Sequence, residues 1–254
     1  QLHEEQGTEK QAAAAFRAAE QLLQEATVKG LKIEPTLERI LAFHLACVAA
    51  KENDVARSMT LLNKAVDLGY TDLAKIRETE ALEKVRALPE FAESLPKWEK
   101  ARHDFLVATG RARLTSENLF PFSFELTDVQ GKPVKLSDFQ GKVCIVDFWG
   151  TWCPPCIQEI PSFIRLQAEF GAQGFQMIGL NFERTDPALA KVKVQEFVNT
   201  NGINYPCALV NDEVLGQVPE LEGFPTTLFI DRTGKVRAKL VGQQPHENLE
   251  AILM

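Results

Sequence analysis

Residues 146–161, "VDFWGTWCPPCIQEIP", decide the fold of the second half of the chain. The stretch joins a run that is apolar except for Asp147 to two cysteines, Cys153 and Cys156, three positions apart. The run "KVCIVDFW", 142–149, is almost continuously apolar, as expected of a strand buried on both faces of a sheet. Two prolines between the cysteines favour a helix start, where backbone N–H groups lack partners anyway. The stretch therefore predicts a buried strand, a short turn and a helix that begins at the cysteines.

The two cysteines are expected to have different roles. Cys153 is predicted at the N-cap, where free N–H groups and the positive end of the helix dipole stabilise a thiolate and lower its pKa from about 8.5. Cys156 is one turn further in, within disulfide range of Cys153 and more buried. These positions favour Cys153 as the attacking thiol and Cys156 as the resolving thiol.

Asp147 is an acid in a predicted core strand. An unpaired buried carboxylate is costly, so its pKa should be raised, and such an acid can pass protons to and from Cys156. The alternative is that Asp147 lies at a strand end and caps a backbone group. We favour the proton-transfer role because the acid directly precedes the cysteine turn.

The bulk composition is that of a globular protein of 254 residues, 45% of them hydrophobic. Acidic residues outnumber basic ones by 35 to 28, and no basic block is interleaved with aromatics, so nucleic acid is not an expected partner. The longest apolar stretch, 41–50, is too short to span a bilayer. Because the chain begins at Gln1, we expect a fragment or a processed form from which a signal segment was removed.

The two halves of the chain have different sequence patterns. Residues 1–112 predict an all-helical domain, because apolar residues recur at helical spacing and no alternating strand pattern is present. Residues 113–254 predict an α/β domain in which strand-like and helical runs alternate, with a linker at 109–118. The α/β half should open with a hairpin around "TDVQG", 127–131.

Residues 37–70 of the helical half resemble one tetratricopeptide hairpin. Small residues fall at the positions where that repeat needs close helix packing: Ala46, Ser58 and Ala65. Only one copy is clear, and a plain helical bundle remains the alternative.

The α/β half resembles a known family. "VDFWGTWCPPC", 146–156, resembles the active-site segment of the thioredoxin superfamily, and residues 120–254 resemble its TlpA/ResA-like thiol–disulfide oxidoreductases. The other matches are the opening hairpin at 124–142, Trp152 directly before Cys153, Pro161 five residues after Cys156, and "GFPTTLFID", 223–231. Residues 185–210 also match the helix-plus-strand insertion of this branch.

The resemblance implies a thioredoxin fold with a central mixed sheet flanked by helices. It implies that Pro225 is cis and packs against the disulfide, leaving the Phe224 backbone free to pair with a substrate chain. Asp147 matches the buried acid of ordinary thioredoxins, and Glu159 matches a glutamate of ResA-like proteins; a solvated surface charge is the equal alternative for Glu159. The substrate-binding residues that we carry over are Trp152, Pro154, Pro155, Phe224, Pro225 and Thr226.

By the same resemblance, the chain should reduce disulfides in extracytoplasmic partner proteins through a mixed disulfide, without a dissociable cofactor. A periplasmic location and a membrane-bound thiol donor are implied. The helical half is a candidate surface for a protein partner.

The alternative functions are a metal site, a peroxidase and a non-catalytic interaction scaffold. Structural zinc needs four ligands, and one C-x-x-C supplies two thiolates. Cu(I) binding or delivery stays open as an alternative, as does a non-catalytic interaction scaffold. Peroxiredoxins need Pro and Thr or Ser seven and three residues before the reactive cysteine, where this chain has Val146 and Gly150. The histidines show no metal-ligand spacing: His3, His44, His103 and His246.

The remaining cysteines, Cys47, Cys144 and Cys207, are predicted as small core residues. A bridge between Cys144 and Cys207 is conceivable if their strands are adjacent, but we do not favour it. Trp149 is predicted in the core, and Trp152 is predicted to be exposed beside the sulfurs.

Overall fold

The computed structural model describes residues 2–254, with side chains described from Lys10 onward. The side chain of His3 lies outside the described residues. The chain divides into two compact units, the first ending at Val107 and the second running from Ala108 to Met254.

The first unit is helical, and its described part holds no strand. Its helices are α1 (Leu2–Val28), α2 (Pro35–Lys51), α3 (Val55–Asp67), α4 (Leu73–Glu78), α5 (Glu83–Arg86) and α6 (Pro89–Arg111), the last continuing past Val107. Residues 109–111 are thus helical rather than part of a linker. Acidic caps start three of these helices: Glu34, Asp54 and Asp72 each accept a hydrogen bond from a backbone N–H in the first turn.

Helices α2 and α3 form a closely packed hairpin. Ala46, Ser58 and Ala65 are all fully buried, and the Ser58 hydroxyl donates to the Ala46 carbonyl at 2.8 Å. Small side chains at these positions let the two backbones approach. The helical hairpin is therefore present, while its assignment to the tetratricopeptide repeat stays a prediction.

The second unit is built on a mixed five-stranded sheet in the order β5-β4-β3-β6-β7. Its strands are β3 (Val143–Trp149), β4 (Phe175–Asn181), β5 (Cys207–Leu209), β6 (Thr226–Ile230) and β7 (Val236–Val241). Strand β4 is parallel to β3 and β5, whereas β6 is antiparallel to β3 and β7. The predicted opening hairpin is formed by β1 (Glu125–Thr127) and β2 (Pro133–Lys135).

Apolar clusters cover both faces of this sheet, so β3 is buried on both sides, as its apolar run predicts. Ile145 and Trp149 face the cluster that includes Phe163, whereas Val146 and Phe148 face the other cluster. The helices of this unit are α7 (Pro154–Phe170), α8 (Pro187–Thr200), α9 (Asp212–Leu215) and α10 (His246–Leu253). The thioredoxin fold predicted for this half is confirmed.

The remaining cysteines are free thiols. Cys144 lies in the cluster on one face of the sheet and Cys207 in the cluster on the other, so no bridge joins them. Cys47 is half-buried in α2.

None of the helices that the structure describes is long and apolar enough to cross a membrane.

Candidate active site

The cysteine pair lies where β3 leads into α7. A disulfide joins Cys153 and Cys156, whose Cα atoms are 5.3 Å apart. Cys153 is the N-cap of α7, and its sulfur accepts a hydrogen bond of 3.3 Å from the Cys156 N–H. Cys153 is 3% exposed and Cys156 is 1% exposed, so the N-cap position distinguishes them more than accessibility does.

Pro154 and Pro155 form the first turn of α7, where the lack of a proline N–H leaves no helical hydrogen bond unmade. Pro154 is exposed and Pro155 is half-buried. Pro161 lies inside the same helix and cannot donate to the preceding turn.

Asp147 lies in the middle of β3 and is 2% exposed, so the strand-end alternative is wrong. Its carboxyl accepts a hydrogen bond of 3.1 Å from the Thr227 hydroxyl on β6. Burial raises the pKa of Asp147 well above its usual value, the charge of Glu159 raises it further, and the Thr227 bond opposes the rise. The side chain can therefore hold a proton where an exposed aspartate would be charged.

Glu159 is 1% exposed, so it is not the solvated surface charge that was the alternative. One carboxyl oxygen accepts from the Gln244 N–H at 3.0 Å, and the other has no partner among the described residues. Burial raises the pKa of Glu159 to about 7, although the Gln244 hydrogen bond works against the rise. A carboxyl with this pKa exchanges protons near neutral pH.

The charges of both acids act on Tyr205, and the charge of Asp147 also acts on Cys207. Burial raises the pKa of Tyr205, and the charges of Cys207, Asp147 and Glu159 raise it further. Burial raises the pKa of the Cys207 thiol as well. Tyr205 and Cys207 therefore stay neutral, and the groups that titrate in this part of the core are the carboxyls of Asp147 and Glu159.

The loop before β6 carries a cis peptide bond between Phe224 and Pro225, as the resemblance implies. The Pro225 carbonyl accepts from the Gly242 N–H at 2.8 Å. Within residues 2–254 the Phe224 main chain has no hydrogen-bond partner, so it is free to pair with another chain.

Thr226 differs from the expectation that it binds substrate. Its side chain is fully buried, and its hydroxyl donates to the Gly223 carbonyl at 2.7 Å. Because its hydroxyl is bonded to the preceding loop and its side chain is buried, Thr226 does not present that side chain at the surface.

An aromatic cluster flanks the cysteines. The Trp152 indole N–H donates to the Phe182 carbonyl at 2.9 Å, and its ring meets the Phe224 ring edge-on at 5.5 Å. Phe224 also stacks on Phe182, and the Arg184 guanidinium lies 3.6 Å from the centre of a Trp152 ring. Trp152 and Phe224 thus meet beside the disulfide, with Trp149 buried beneath as predicted.

Several residues of the site were missed from the sequence: Thr227, Gln244, Tyr205, Phe182 and Arg184. One signal could have found the last two. They lie within three residues of the end of β4. The carboxyl ends of the parallel strands β3 and β4 meet at one edge of the sheet, where sites form in such folds.

No group of three or more histidine, cysteine or acidic side chains that could hold a metal ion is found in the part of the chain that the structure describes.

Comparisons with known proteins match the second unit of the chain. The model of the AhpC/TSA family matches residues 119–239. The thiol-disulfide oxidoreductase ResA of Bacillus thuringiensis (strain Al Hakam) is 34% identical over 131 residues, which are 52% of this chain and 73% of that protein. ResA of Bacillus subtilis (strain 168) is 33% identical over 120 residues, 47% of this chain and 64% of that protein.

A solved structure also matches. The crystal structure of a thiol:disulfide interchange protein of the thioredoxin family from Chlorobium tepidum TLS is 29% identical, with a TM-score of 0.49. The match covers 55% of this chain and 96% of that one.

Proposed function

Since the chain belongs to the TlpA/ResA-like thiol–disulfide oxidoreductases of the thioredoxin superfamily, we propose that Cys153 and Cys156 are its redox centre and reduce disulfides in partner proteins. The observation that carries this proposal is the disulfide at the N-terminus of α7, next to a core that holds two buried acids. The proposed substrate is a protein disulfide that the reduced pair converts to two thiols.

The first step is attack by the Cys153 thiolate on one sulfur of the substrate disulfide. The helix N-terminus favours the thiolate, because its N–H groups and dipole stabilise negative charge. The substrate S–S bond breaks, a Cys153–substrate disulfide forms, and the other substrate sulfur leaves as a thiolate that takes a proton.

The second step is attack by Cys156 on the mixed disulfide. The Cys156 thiol loses its proton, the Cys153–Cys156 bond forms, and the second substrate thiol is released. Two electrons pass from the chain to its substrate. One of the two protons that the substrate thiols take up balances the proton lost by Cys156, and the other comes from solvent, because Cys153 attacks as a thiolate.

The proton of Cys156 needs an acceptor in a buried site. Asp147 is our first candidate, and Glu159, which is on the same helix as Cys156, is the second. Burial raises the pKa of both carboxyls, that of Glu159 to about 7, so each can hold a proton at a pH where an exposed carboxyl would be charged.

The Phe224 main chain and the surrounding rings supply the proposed substrate surface. An extended substrate segment could pair with the free N–H and C=O of Phe224, while Trp152, Pro154 and Pro155 border the disulfide. The cis Phe224–Pro225 bond shapes this loop, and the family resemblance implies that Pro225 packs against the cysteine pair.

Location and electron supply extend the proposal. The family relationship supports an extracytoplasmic, periplasmic site of action and a membrane-bound thiol donor that reduces the pair again. The α2–α3 hairpin, whose small residues fit a tetratricopeptide-like repeat, is the proposed surface for a protein partner.

Trapping of the mixed disulfide tests the assignment. Cys156→Ser should accumulate a covalent complex with a disulfide-bearing protein, released by dithiothreitol, because no resolving thiol remains. Cys207→Ser is the matched control, since Cys207 is also buried in this unit but is free, and it should trap nothing. A Cys156→Ser protein that folds yet forms no complex would contradict the assigned roles.

The direction of electron flow is tested by the reduction potential of the pair. A value near about −270 mV supports a reductase, and one near about −120 mV would make the chain an oxidant.

A further inference from the structure

We propose that Arg184, stacked on Trp152 beside the cysteine pair, selects substrate disulfides that have acidic residues next to the target cysteine. The inference rests on the proposed function and names its substrate class.

The Arg184 side chain is held in place by a contact with Trp152. Its guanidinium carbon lies 3.6 Å from the centre of a Trp152 ring, a distance that fits a stacked cation–π contact. Trp152 is itself fixed by its hydrogen bond to the Phe182 carbonyl and by the edge of Phe224. Because Trp152 directly precedes Cys153 in the sequence, the contact keeps a permanent positive charge against the side chain next to the attacking cysteine.

The charge of Arg184 is not neutralised by the chain. Among the side chains that the structure describes, Arg184 forms no ion pair, and the residue is exposed. The neighbouring acid, Glu183, is already engaged: its carboxyl accepts from the Thr151 N–H at 2.8 Å and pairs with Lys193 at 2.9 Å. Burial alone would raise the pKa of Glu183, but these contacts hold it below the usual value. The next acid, Asp186, caps α8.

A peptide beside Cys153 fits this charge if it is acidic. Pairing with the Phe224 main chain does not depend on substrate sequence, because it uses only backbone groups. Arg184 adds a side-chain contact on the other side of Trp152, where a planar guanidinium can bind a carboxylate through two parallel hydrogen bonds. Charge complementarity therefore favours an acidic flank and disfavours a basic one.

The test compares two peptides with one protein. Each peptide has a single disulfide, flanked by Asp in one and by Lys in the other, and each is mixed with pre-reduced full-length chain in a single turnover. The wild type should react about five-fold faster with the Asp peptide at low salt. The ratio of the two rates cancels any change in the intrinsic reactivity of Cys153.

Two variants of Arg184 test whether its positive charge causes the preference for the Asp peptide. Arg184→Glu should reverse the preference, and Arg184→Gln should reduce the ratio toward one. Arg232→Glu is the matched control, because it makes the same charge change at an exposed residue. Arg232 follows the C-terminal end of β6, whereas Pro225 precedes the N-terminal end of that strand. This variant should keep the wild-type ratio of the two rates.

Each outcome is decisive. Equal rates in the wild type, or a ratio unchanged in Arg184→Glu, would overturn the acidic preference while leaving the proposed function intact. If the pre-reduced wild type reduces neither peptide nor an uncharged small disulfide, the proposed function fails and the inference fails with it.

Discussion

Thr227 and Asp147 are paired directly across the antiparallel strands β3 and β6, and the Thr227 hydroxyl donates to the Asp147 carboxyl at 3.1 Å. Thr227 is two residues after the cis-proline, and Asp147 is six residues before Cys153. One strand pair thus links the proposed substrate loop to the proposed proton acceptor. This link makes the pKa of Asp147 depend on a residue of the strand that directly follows the substrate loop.

Thr227→Val should raise the pKa of Asp147 further, because the variant removes the hydrogen bond that opposes burial and the charge of Glu159. Less of the carboxyl is then charged at neutral pH, so the Cys156 step should slow and its pH profile should move to higher pH. We also expect a loss of about 1 kcal/mol in the free energy of unfolding. Stopped-flow measurement of mixed-disulfide resolution against pH checks this.

The control is Thr226→Val, on the same strand and equally buried, whose hydroxyl bonds to Gly223 instead. It should lose similar stability without a shift in the pH profile. Identical profiles for both threonine variants and the wild type would contradict the role of Asp147.

Glu159→Gln should change how stability depends on pH. The pKa of Glu159 is about 7 in the folded chain and about 4.3 in an unfolded one, so the folded state holds more protons between these values. The stability from this group is fully present below the unfolded pKa and is lost as pH rises through about 7. The loss amounts to roughly 3 kcal/mol, and glutamine avoids it while still accepting from Gln244.

Urea unfolding at about pH 5 and about pH 8 tests this prediction. The wild type should lose more stability between the two than Glu159→Gln does. Glu169→Gln, an exposed position on the same helix, should behave like the wild type. Glu159→Gln should also lower the pKa of Asp147, because the charge of Glu159 is one of the causes that raise this pKa. Equal slopes in all three proteins would count against a buried, titrating Glu159.

Gly179→Ala should destabilise the second unit by about 1–3 kcal/mol. A Cβ at this position in β4 would lie 2.9 Å from the Trp149 indole nitrogen and 3.0 Å from the Cys207 sulfur. The double variant Gly179→Ala/Cys207→Ala should cost less than the sum of the two single variants, because it removes one of the two clashes. Strict additivity in chemical denaturation would contradict the close contact.

Ser58→Ala should reduce the stability of the first unit by about 1 kcal/mol, since a buried hydroxyl loses its bond to the Ala46 carbonyl. Thr60→Ala is the control on the same helix, because the Thr60 hydroxyl bonds to its own helix in an exposed position. Thermal unfolding followed by circular dichroism compares them, and a control that is equally destabilised would argue against the interhelical bond.

Local patterns predicted most of the second unit. The continuous apolar run before the cysteines predicted β3, and the proline pair predicted the start of α7 with Cys153 at its N-cap. Pairs of strand-like runs with a turn between them predicted the hairpin of β1 and β2. These features depend on backbone conformation within a few residues, so short segments of sequence contain the necessary information.

The environment of the acids was harder to predict. Glu159 belongs to a helix of mixed composition, and the hydrogen-bond donor to its buried carboxyl, the Gln244 N–H, is 85 positions away. The fully buried Thr226 looked available to a substrate because the loop sequence does not say which way a hydroxyl points. Arg184 was missed for the same reason, since no local pattern indicates that it stacks on Trp152.

The sequence by itself therefore determined the strand, the turn and the cysteine-capped helix, because helix starts and buried strands are set by neighbouring residues. Only the tertiary structure decided that Asp147 and Glu159 share one interior, and that Arg184 presents its charge beside Cys153. The physical reason is that pKa values and charge complementarity depend on burial and distance, and these arise only when remote segments pack together.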